Sequence, residues 1–436
     1  MPVLKKKSKI KGKGKRGKKT KRGKKKAKTS LLGKRVRPPG EASRQLLKSY
    51  TTLCKEKGST AIPKIVHELR EKTEADQAVT KFILEPAIRF SKSDFPPVQF
   101  CDWLQAVQTV AYEHVKEICV WGIAVTDMDA TNLSLCMETP VAQQNLKFLT
   151  LLDVGLTNYG VHRVTRCLHL GKVTSLLLSH NRFGDEGCQT LCNNLRGNTK
   201  LQRLSLDFCG LTPLSGSVLG QFIVNCAIQE LSLIGNLLQC DGVIQLINPL
   251  VEFYESHQAH ESMRKQRLEE VRTQQELREQ ELATMGRLQA KMAVAAEEAN
   301  HEHHEIDPLL IPFPPLPPLK CLNIEDNGMD MHGKGGKFAP VVCARLIRRW
   351  LEVSSQLTEI KLTGNLIGNV AGREILTALE ARKEAGLPSV KMTVTHCLEG
   401  DIFRKIFKLG VGAKKKKKLK KKKGKGKGKG KKKKKK

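Results

Sequence analysis

The residue spacing closest to a ligand-binding motif lies in a glycine-rich segment, residues 328–335, which reads GMDMHGKG. Gly328, Gly333 and Lys334 stand where a phosphate-binding loop places its two glycines and its lysine. Such a loop also needs a Ser or Thr hydroxyl after the lysine to hold magnesium. Because Gly335 occupies that place, we interpret the segment as a glycine-rich connection and not as a nucleotide site.

A second candidate is the sequence HEHHE at residues 301–305, since imidazole and carboxylate groups bind divalent metals. It ends a polar segment that predicts no fixed ligand geometry, so we predict no metal site there. The thirteen cysteines form no CxxC pair, and Cys188 and Cys192 fall on a predicted helix, where buried structural thiols are the common outcome. No Ser-His-Asp, Cys-His or paired-carboxylate set can be assigned. The sequence therefore predicts a non-enzymatic protein without cofactor or metal, in a reducing compartment.

The elements around these segments follow one repeated pattern, L-x-x-L-x-L-x-x-N-x-L, each copy leading into a stretch with helical apolar spacing. Copies of varying clarity begin at Val115, Leu146, Val173, Leu201, Ile228, Leu319 and Leu357, and Val390 begins a last strand. The fourth positions of the first five copies are 31, 27, 28 and 27 residues apart. A spacing near 28 leaves room for one short strand and one full helix per copy.

The physics of one copy predicts the fold. The residues of L-x-L point the same way from a short strand into the core, and the Asn amide can bond backbone groups of the neighbouring turn. Cys209 stands at the Asn position in one copy. The pattern resembles leucine-rich repeats of the ribonuclease-inhibitor type, which implies an α/β solenoid of parallel strands with outer helices.

The net charge of +34 is concentrated at the two ends of the chain. Met1–Arg37 holds 19 Lys or Arg residues and Lys414–Lys436 holds 18 Lys, with no acid in either segment, so the rest is close to neutral. These segments lack apolar residues to bury, which predicts disordered tails. We expect them to contact acidic surfaces such as tubulin tails, or alternatively RNA, in a salt-sensitive and unspecific way.

The repeats are interrupted between Leu231 and the next fourth position, Leu322. Residues 255–300 are rich in Glu, Gln, Arg and Ala and contain no Pro, which predicts a long exposed helix that continues the one beginning near Gly242. A heptad assignment places apolar residues at its a and d positions, namely Leu268, Val271, Leu282, Met285 and Met292. Polar residues interrupt it, so a solvated single helix and a coiled coil both stay open.

A proline-rich segment, Pro308–Pro318, follows the charged helix and favours polyproline II. We interpret it as a stiff connection that returns the chain to the repeats. The spacing of Pro312 and Pro315 also matches a PxxP ligand of the SH3 type, which is the alternative interpretation.

We divide the chain by composition and pattern into six parts. These are a disordered Lys- and Gly-rich tail (1–40), a helical N-terminal cap (41–114), leucine-rich repeats (115–254), a charged helical insertion with the proline-rich strap (255–318), leucine-rich repeats with a C-terminal cap (319–410) and a disordered poly-Lys tail (411–436). No apolar run is long enough for a transmembrane segment, and the oligomeric state stays open.

A protein partner is predicted on the concave face of the strands, where outward positions flank the core leucines. These positions are Phe148, Thr150, Leu152, Ser175, Leu177, Ser179, Arg203, Ser205, Asp207, Glu230, Ser232, Ile234, Asn323, Glu325, Glu359, Lys361 and Thr363. Most are polar, but we expect Leu152, Leu177 and Ile234 to be exposed and near one another, as at a partner site.

Three segments carry a further resemblance: Tyr50–Leu69 (YTTLCKEKGSTAIPKIVHEL), Val115–Gly122 (VKEICVWG) and Leu151–Leu156 (LLDVGL). Together with the interrupted repeats, they resemble the family of leucine-rich repeat-containing protein 71. This resemblance implies a non-enzymatic scaffold of the ciliary or flagellar axoneme. The alternatives are a nuclear or nucleolar protein whose lysine tails bind RNA or direct import, and a regulator of actin or GTPases built on the same repeats.

Overall fold

The computed structural model contains one parallel sheet in which every strand pairs with the strand that precedes it in the chain. The structure describes residues 38–85, 100–169, 171–284, 286, 287, 289, 291, 292 and 307–410. Residues 1–37 and 411–436 of the predicted lysine tails and the HEHHE sequence lie outside these residues, whereas Pro39 and Gly40, which the sequence analysis assigns to the N-terminal tail, begin the first helix. The described strands are β1 Lys81–Leu84, β2 Glu117–Trp121, β3 Phe148–Leu152, β4 Ser175–Leu177, β5 Arg203–Ser205, β6 Glu230–Ser232, β7 Cys321–Asn323, β8 Glu359–Lys361 and β9 Lys391–Thr393.

Helices alternate with the strands. The described helices are α1 Pro39–Lys57, α2 Pro63–Glu74, α3 Phe100–Val110, α4 Asp127–Met137, α5 Pro140–Asn145, α6 Asn158–Leu168, α7 Gly184–Asn194, α8 Leu214–Val224, α9 Gln239–Thr284, α10 Ala339–Val353, α11 Gly368–Glu384 and α12 Gly400–Gly410. This architecture confirms the predicted α/β repeat fold. No helix in the described part of the chain is long and apolar enough to cross a membrane.

The core forms where the second residue of each strand points towards the helices. The register aligns these residues in one row across eight strands, each at most 3% exposed. They are Ile118, Leu149, Leu176, Leu204, Leu231, Leu322, Ile360 and Met392. Burial of such a side chain contributes about 1.5–3 kcal/mol, so the stacked row supplies what no single repeat could supply alone.

The predicted asparagine positions link successive repeats. The side-chain oxygen of Asn236 accepts hydrogen bonds from the backbone N–H groups of Cys209 and Leu211, at 3.0 and 3.1 Å. Its amide nitrogen donates to the carbonyls of Leu206 and Leu233, at 2.9 Å each. Asn181 and Asn365 make equivalent sets of bonds in their own repeats.

Cys209 fills an asparagine position with a weaker donor. Its thiol lies 3.5 Å from the carbonyl of Leu178, and the residue is fully buried. A thiol is small and apolar enough to pack there, but it offers no carbonyl oxygen for the preceding turn.

The N-terminal cap contributes a strand that the sequence analysis did not predict. In β1, Phe82 pairs with Ile118 of β2 and is fully buried against Trp103, with the ring centroids 4.8 Å apart. The Tyr112 hydroxyl bonds both the N–H and the carbonyl of Val79, at 2.8 and 3.0 Å. The region predicted as a helical cap thus closes the core with three helices and one strand.

Side-chain bonds between repeats fix where the outer helices begin. The N-cap Thr157 of α6 donates to Asp127, the first residue of α4, at 2.6 Å, and Thr212 donates to Asp185 of α7 at 2.6 Å. Asp185 also accepts hydrogen bonds from the Thr212 N–H and the Ser215 hydroxyl. Burial alone would raise the pKa of Asp185, but these hydrogen bonds outweigh it and hold the pKa below its ordinary value.

The interruption leaves the sheet continuous. Leu231 of β6 pairs directly with Leu322 of β7, although the residues between them include the whole of α9. The helix begins at Gln239 and runs to Thr284, close to the predicted start. A coiled coil stays the alternative to a solvated single helix, and the heptad residue Met285 lies outside the described residues.

Candidate functional site

The strand face that points away from the helices is ordered into rows by the parallel register. The first-position row runs through Glu117, Phe148, Ser175, Arg203, Glu230, Cys321, Glu359 and Lys391. The third-position row runs through Cys119, Thr150, Leu177, Ser205, Ser232, Asn323, Lys361 and Thr393. We refer to this surface as the strand face.

An apolar cluster lies at the N-terminal end of the strand face. Trp121 is 52% exposed and pairs with Leu152 on the adjacent strand, and Phe148 is 38% exposed. Leu177 lies one strand further on, opposite Thr150, and is half-buried. Neighbouring strands are about 4.8 Å apart, so these four apolar side chains lie within reach of one large contact. We call Trp121, Phe148, Leu152 and Leu177 the apolar cluster.

Trp121 was not among the residues selected from the sequence. It belongs to the degenerate first copy, whose strand pattern is weak. Its position within the copy could have identified it. Trp121 lies three residues after the core residue Ile118, just as the outward Leu152 lies three residues after the core residue Leu149.

Ile234 does not join this cluster. It lies beyond β6, three strands from Leu152, which corresponds to about 14 Å at the usual strand spacing. Ser179 and Asp207 occupy the corresponding positions between them. The structure therefore brings Leu152 and Leu177 together and leaves Ile234 apart.

The centre of the strand face is a network of three serines around Asp207. The Asp207 carboxylate accepts hydrogen bonds from Ser205 at 2.7 Å, Ser232 at 2.6 Å and Ser179 at 3.2 Å, and from the Ile234 N–H at 2.8 Å. Ser179 and Ser205 also share a bond of 2.7 Å. Because its oxygens are already bonded, this carboxylate stabilises the loops between repeats.

Ion pairs between adjacent strands also lie on the strand face. Arg203 pairs with Glu230 at 2.8 Å, with about half of each side chain exposed. Lys391 pairs with Glu359 at the C-terminal end of the sheet. Exposed pairs of this kind contribute about 0–1 kcal/mol to stability, so they add little to the stability of the fold.

The other predicted outward residues differ in accessibility. Thr150, Ser175 and Asn323 are buried, Glu325 and Lys361 are half-buried, and Thr363 is exposed. The strand face as a whole is therefore less accessible than the number of outward positions predicted from the sequence indicates.

The loops after the strands add an aromatic pair that the sequence analysis missed. His180 and Phe208 stack with ring centroids 4.6 Å apart and planes 15° apart, and Phe208 is 41% exposed. Both residues have a positive φ, 62° and 55°, and the N–H of each bonds a carbonyl of the next repeat. The exposure follows from the turn geometry, which directs these rings outwards.

The residues that could carry chemistry are the metal-binding side chains, the glycine-rich segment and the cysteines. Among the described residues, no group of three His, Cys, Asp or Glu side chains is placed to hold a metal. The glycine-rich segment connects β7 to α10, and the Asp330 carbonyl in it accepts a bond from the Cys240 thiol at 3.6 Å. All thirteen cysteines are free thiols. A hydrogen bond with Cys188, together with burial, raises the pKa of Cys192.

Comparison with known proteins agrees with this geometry. Residues 171–192 match the family model described as Leucine Rich repeat. The chain contains leucine-rich repeats. It is 34% identical over 115 residues to human NACHT, LRR and PYD domains-containing protein 14, covering 24% of this chain and 10% of that protein. It is 32% identical over 153 residues to pig ribonuclease inhibitor, covering 34% of this chain and 32% of the inhibitor.

A third relative is human NACHT, LRR and PYD domains-containing protein 5, 33% identical over 132 residues, which cover 30% of this chain and 11% of the relative. The chain thus spans about a tenth of the two NACHT proteins and about a third of the inhibitor. The similarity is distant and concerns the repeats.

Proposed function

We propose that this protein is a non-enzymatic scaffold that binds a protein partner on the strand face. The observation that carries the proposal is the apolar cluster, in which an exposed Trp and Phe lie beside two half-buried leucines. Large aromatic side chains with apolar neighbours are the residues that most often supply binding energy at interfaces. Single apolar residues on a surface are ordinary, but four on the same face of three adjacent strands are more than scattered single residues and favour a partner site.

The borders of the cluster support the same proposal. The Arg203–Glu230 pair and the serine–Asp207 network give the strand face a polar area next to its apolar end. Interfaces commonly combine an apolar centre with a polar rim, and charged rims orient the partner during association.

The test compares substitutions inside and outside the apolar cluster. Leu177→Glu and Trp121→Ala are introduced separately into the full-length protein. The matched control is Leu214→Glu, because Leu214 is 74% exposed on a helix of the opposite side. Proteins captured from cells by each variant are quantified by mass spectrometry, and circular dichroism confirms that each variant is folded.

We expect both cluster variants to capture a shared set of partners in amounts at least about tenfold lower than the wild type. A loss of this size is typical of a central contact residue. The control should retain that set. Equal capture by Leu177→Glu, Trp121→Ala and wild type would refute the assignment of the partner site to this cluster.

The cellular location is a finer part of the proposal. An axonemal position rests on the family resemblance and on the two lysine tails, whose charge suits the acidic surface of microtubules. The alternative is a nuclear location, with the tails as RNA contacts or import signals. Full-length tagged protein is compared in ciliated cells with a variant lacking Met1–Arg37 and Lys414–Lys436. Axonemal signal that survives the deletion would assign targeting to the repeats, and axonemal signal lost with the tails would assign it to the tails. Signal confined to the nucleus would contradict the axonemal position.

A further inference from the structure

The proline-rich strap, residues 307–318, is held by one side against α9. The Phe313 ring lies between three rings of that helix, with centroid distances of 5.4 Å to Phe253, 5.5 Å to His257 and 5.2 Å to His260. The Tyr254 hydroxyl donates to the carbonyl of Pro317 at 3.1 Å. These contacts fix the strap on the helical side of the molecule, away from the strand face.

The anchored residues recur every third position. Phe313 and Leu316 are half-buried and Leu319 is 1% exposed. A period of three is the period of polyproline II, and the prolines between these residues fix φ near the value that this conformation needs. The strap therefore turns one of its three edges towards the protein.

Between Ile311 and Pro315 the other two edges face solvent, whereas further along the strap Pro317 is buried and Pro318 is half-buried. Ile311 is 53% exposed, and Pro312, Pro314 and Pro315 are all exposed. They form two residue–proline pairs, Ile311-Pro312 and Pro314-Pro315, separated by the anchored Phe313. This is the side-chain arrangement with which a polyproline II helix presents prolines to a shallow aromatic groove.

We propose that the ridge formed by Ile311, Pro312, Pro314 and Pro315 is a preformed ligand for a domain with an aromatic-lined polyproline-binding groove. The inference is independent of the strand face and of its partner. Residues 308–319 contain no charged side chain, so recognition rests on apolar contact with the prolines.

Anchoring explains why such a ligand would be effective. A free proline-rich peptide must be ordered at the moment of binding, and that ordering reduces its affinity. Here Phe313 and the Tyr254–Pro317 bond order the segment beforehand. The residue between the two proline pairs points to α9, so a partner can reach the ridge without displacing the strap.

The experiment presents the full-length protein to an array of purified SH3, WW and EVH1 domains. The affinity of every domain that binds is then measured by biolayer interferometry. We expect at least one domain to bind, and the affinity to change little between about 0.15 and 1 M salt, because the ridge is uncharged. Binding that disappears in high salt would belong to the lysine tails and would count against the ridge, as would an array on which no domain binds.

Two variants locate the contact. Pro312→Ala with Pro315→Ala should weaken binding at least about tenfold, equal to about 1.4 kcal/mol. The control Pro140→Ala alters another exposed proline, at the start of α5, and should leave binding unchanged. Unchanged affinity of the double variant would overturn the proposal.

Phe313→Ala tests whether the ridge works while anchored. We expect several-fold weaker binding, because the strap must then be ordered on association. Stronger binding would show that the strap has to detach before it is recognised, which would overturn the anchored ridge. Circular dichroism of each variant confirms that the repeats remain folded.

Discussion

Asn236→Ala tests whether the asparagine positions hold the repeats together. The Asn236 side chain is 2% exposed and makes four bonds of 2.9–3.1 Å to backbone groups of its own and the preceding repeat. Alanine would leave two N–H groups and two carbonyls without these partners in a buried loop. Each unsatisfied buried group costs about 1–3 kcal/mol, but a loop can relax, so we expect a total loss of about 3–5 kcal/mol.

The free energy of unfolding is measured by urea titration, followed by circular dichroism and by Trp fluorescence. The matched control is Asn225→Ala, since Asn225 is exposed and its amide bonds only the Gln221 carbonyl of its own helix. The control should change the free energy by about 0.5 kcal/mol or less. A loss below about 1 kcal/mol for Asn236→Ala would refute the reasoning. Probes that separate along the titration would show that the weakened repeat uncouples its neighbours.

Arg382→Met should lower the free energy of unfolding by about 2–4 kcal/mol, because the buried guanidinium donates to the carbonyls of three residues near the ends of α10 and α11. Differential scanning calorimetry measures this loss. Asp185→Asn should destabilise the protein at neutral pH, and the difference should diminish as the pH falls through the lowered pKa of Asp185. A carboxylate with a lowered pKa stabilises the fold above its ordinary pKa, near 3.9, and loses this contribution as it is protonated, so a pH-independent difference in urea titrations would contradict the assignment. Gly235→Ala should cost more than about 1 kcal/mol, since φ is 64° and a Cβ would lie 2.1 Å from the Phe208 ring. Phe208→Ala should recover part of that loss in a double-mutant cycle, and an additive cycle would exclude the ring as its cause.

The repeats were predictable because the local sequence pattern of each copy determines its strand, its loop and its core residues. The L-x-L spacing fixes which residues enter the core, and the Asn position fixes where the loop bonds its neighbour, so local pattern and final contacts agree. β1 was not predictable in this way. Lys81–Leu84 has four residues and no repeat pattern, and it becomes a strand because the edge of β2 offers hydrogen bonds that need a partner.

The strand face was only partly predictable for a related reason. Alternation along a strand identifies which residues point outwards, as for Phe148 and Leu177. It does not show that Thr150 is buried by its neighbours or that Ile234 lies three strands away. Those properties depend on the spacing and contacts of several repeats together.

The continuous pairing of β6 with β7 has a consequence for how two partners would bind. The insertion begins with α9 in the helical layer. The strap that ends it lies in the same layer, where the Tyr254 hydroxyl of α9 bonds the Pro317 carbonyl. The apolar cluster points from the opposite side of the sheet, so neither surface contributes a side chain to the other. If both proposed surfaces bind, each partner should bind with the same affinity whether or not the other is present. A measured change would require α9 or the β6–β7 pairing to move, because a coupling free energy needs a structural element that both partners alter.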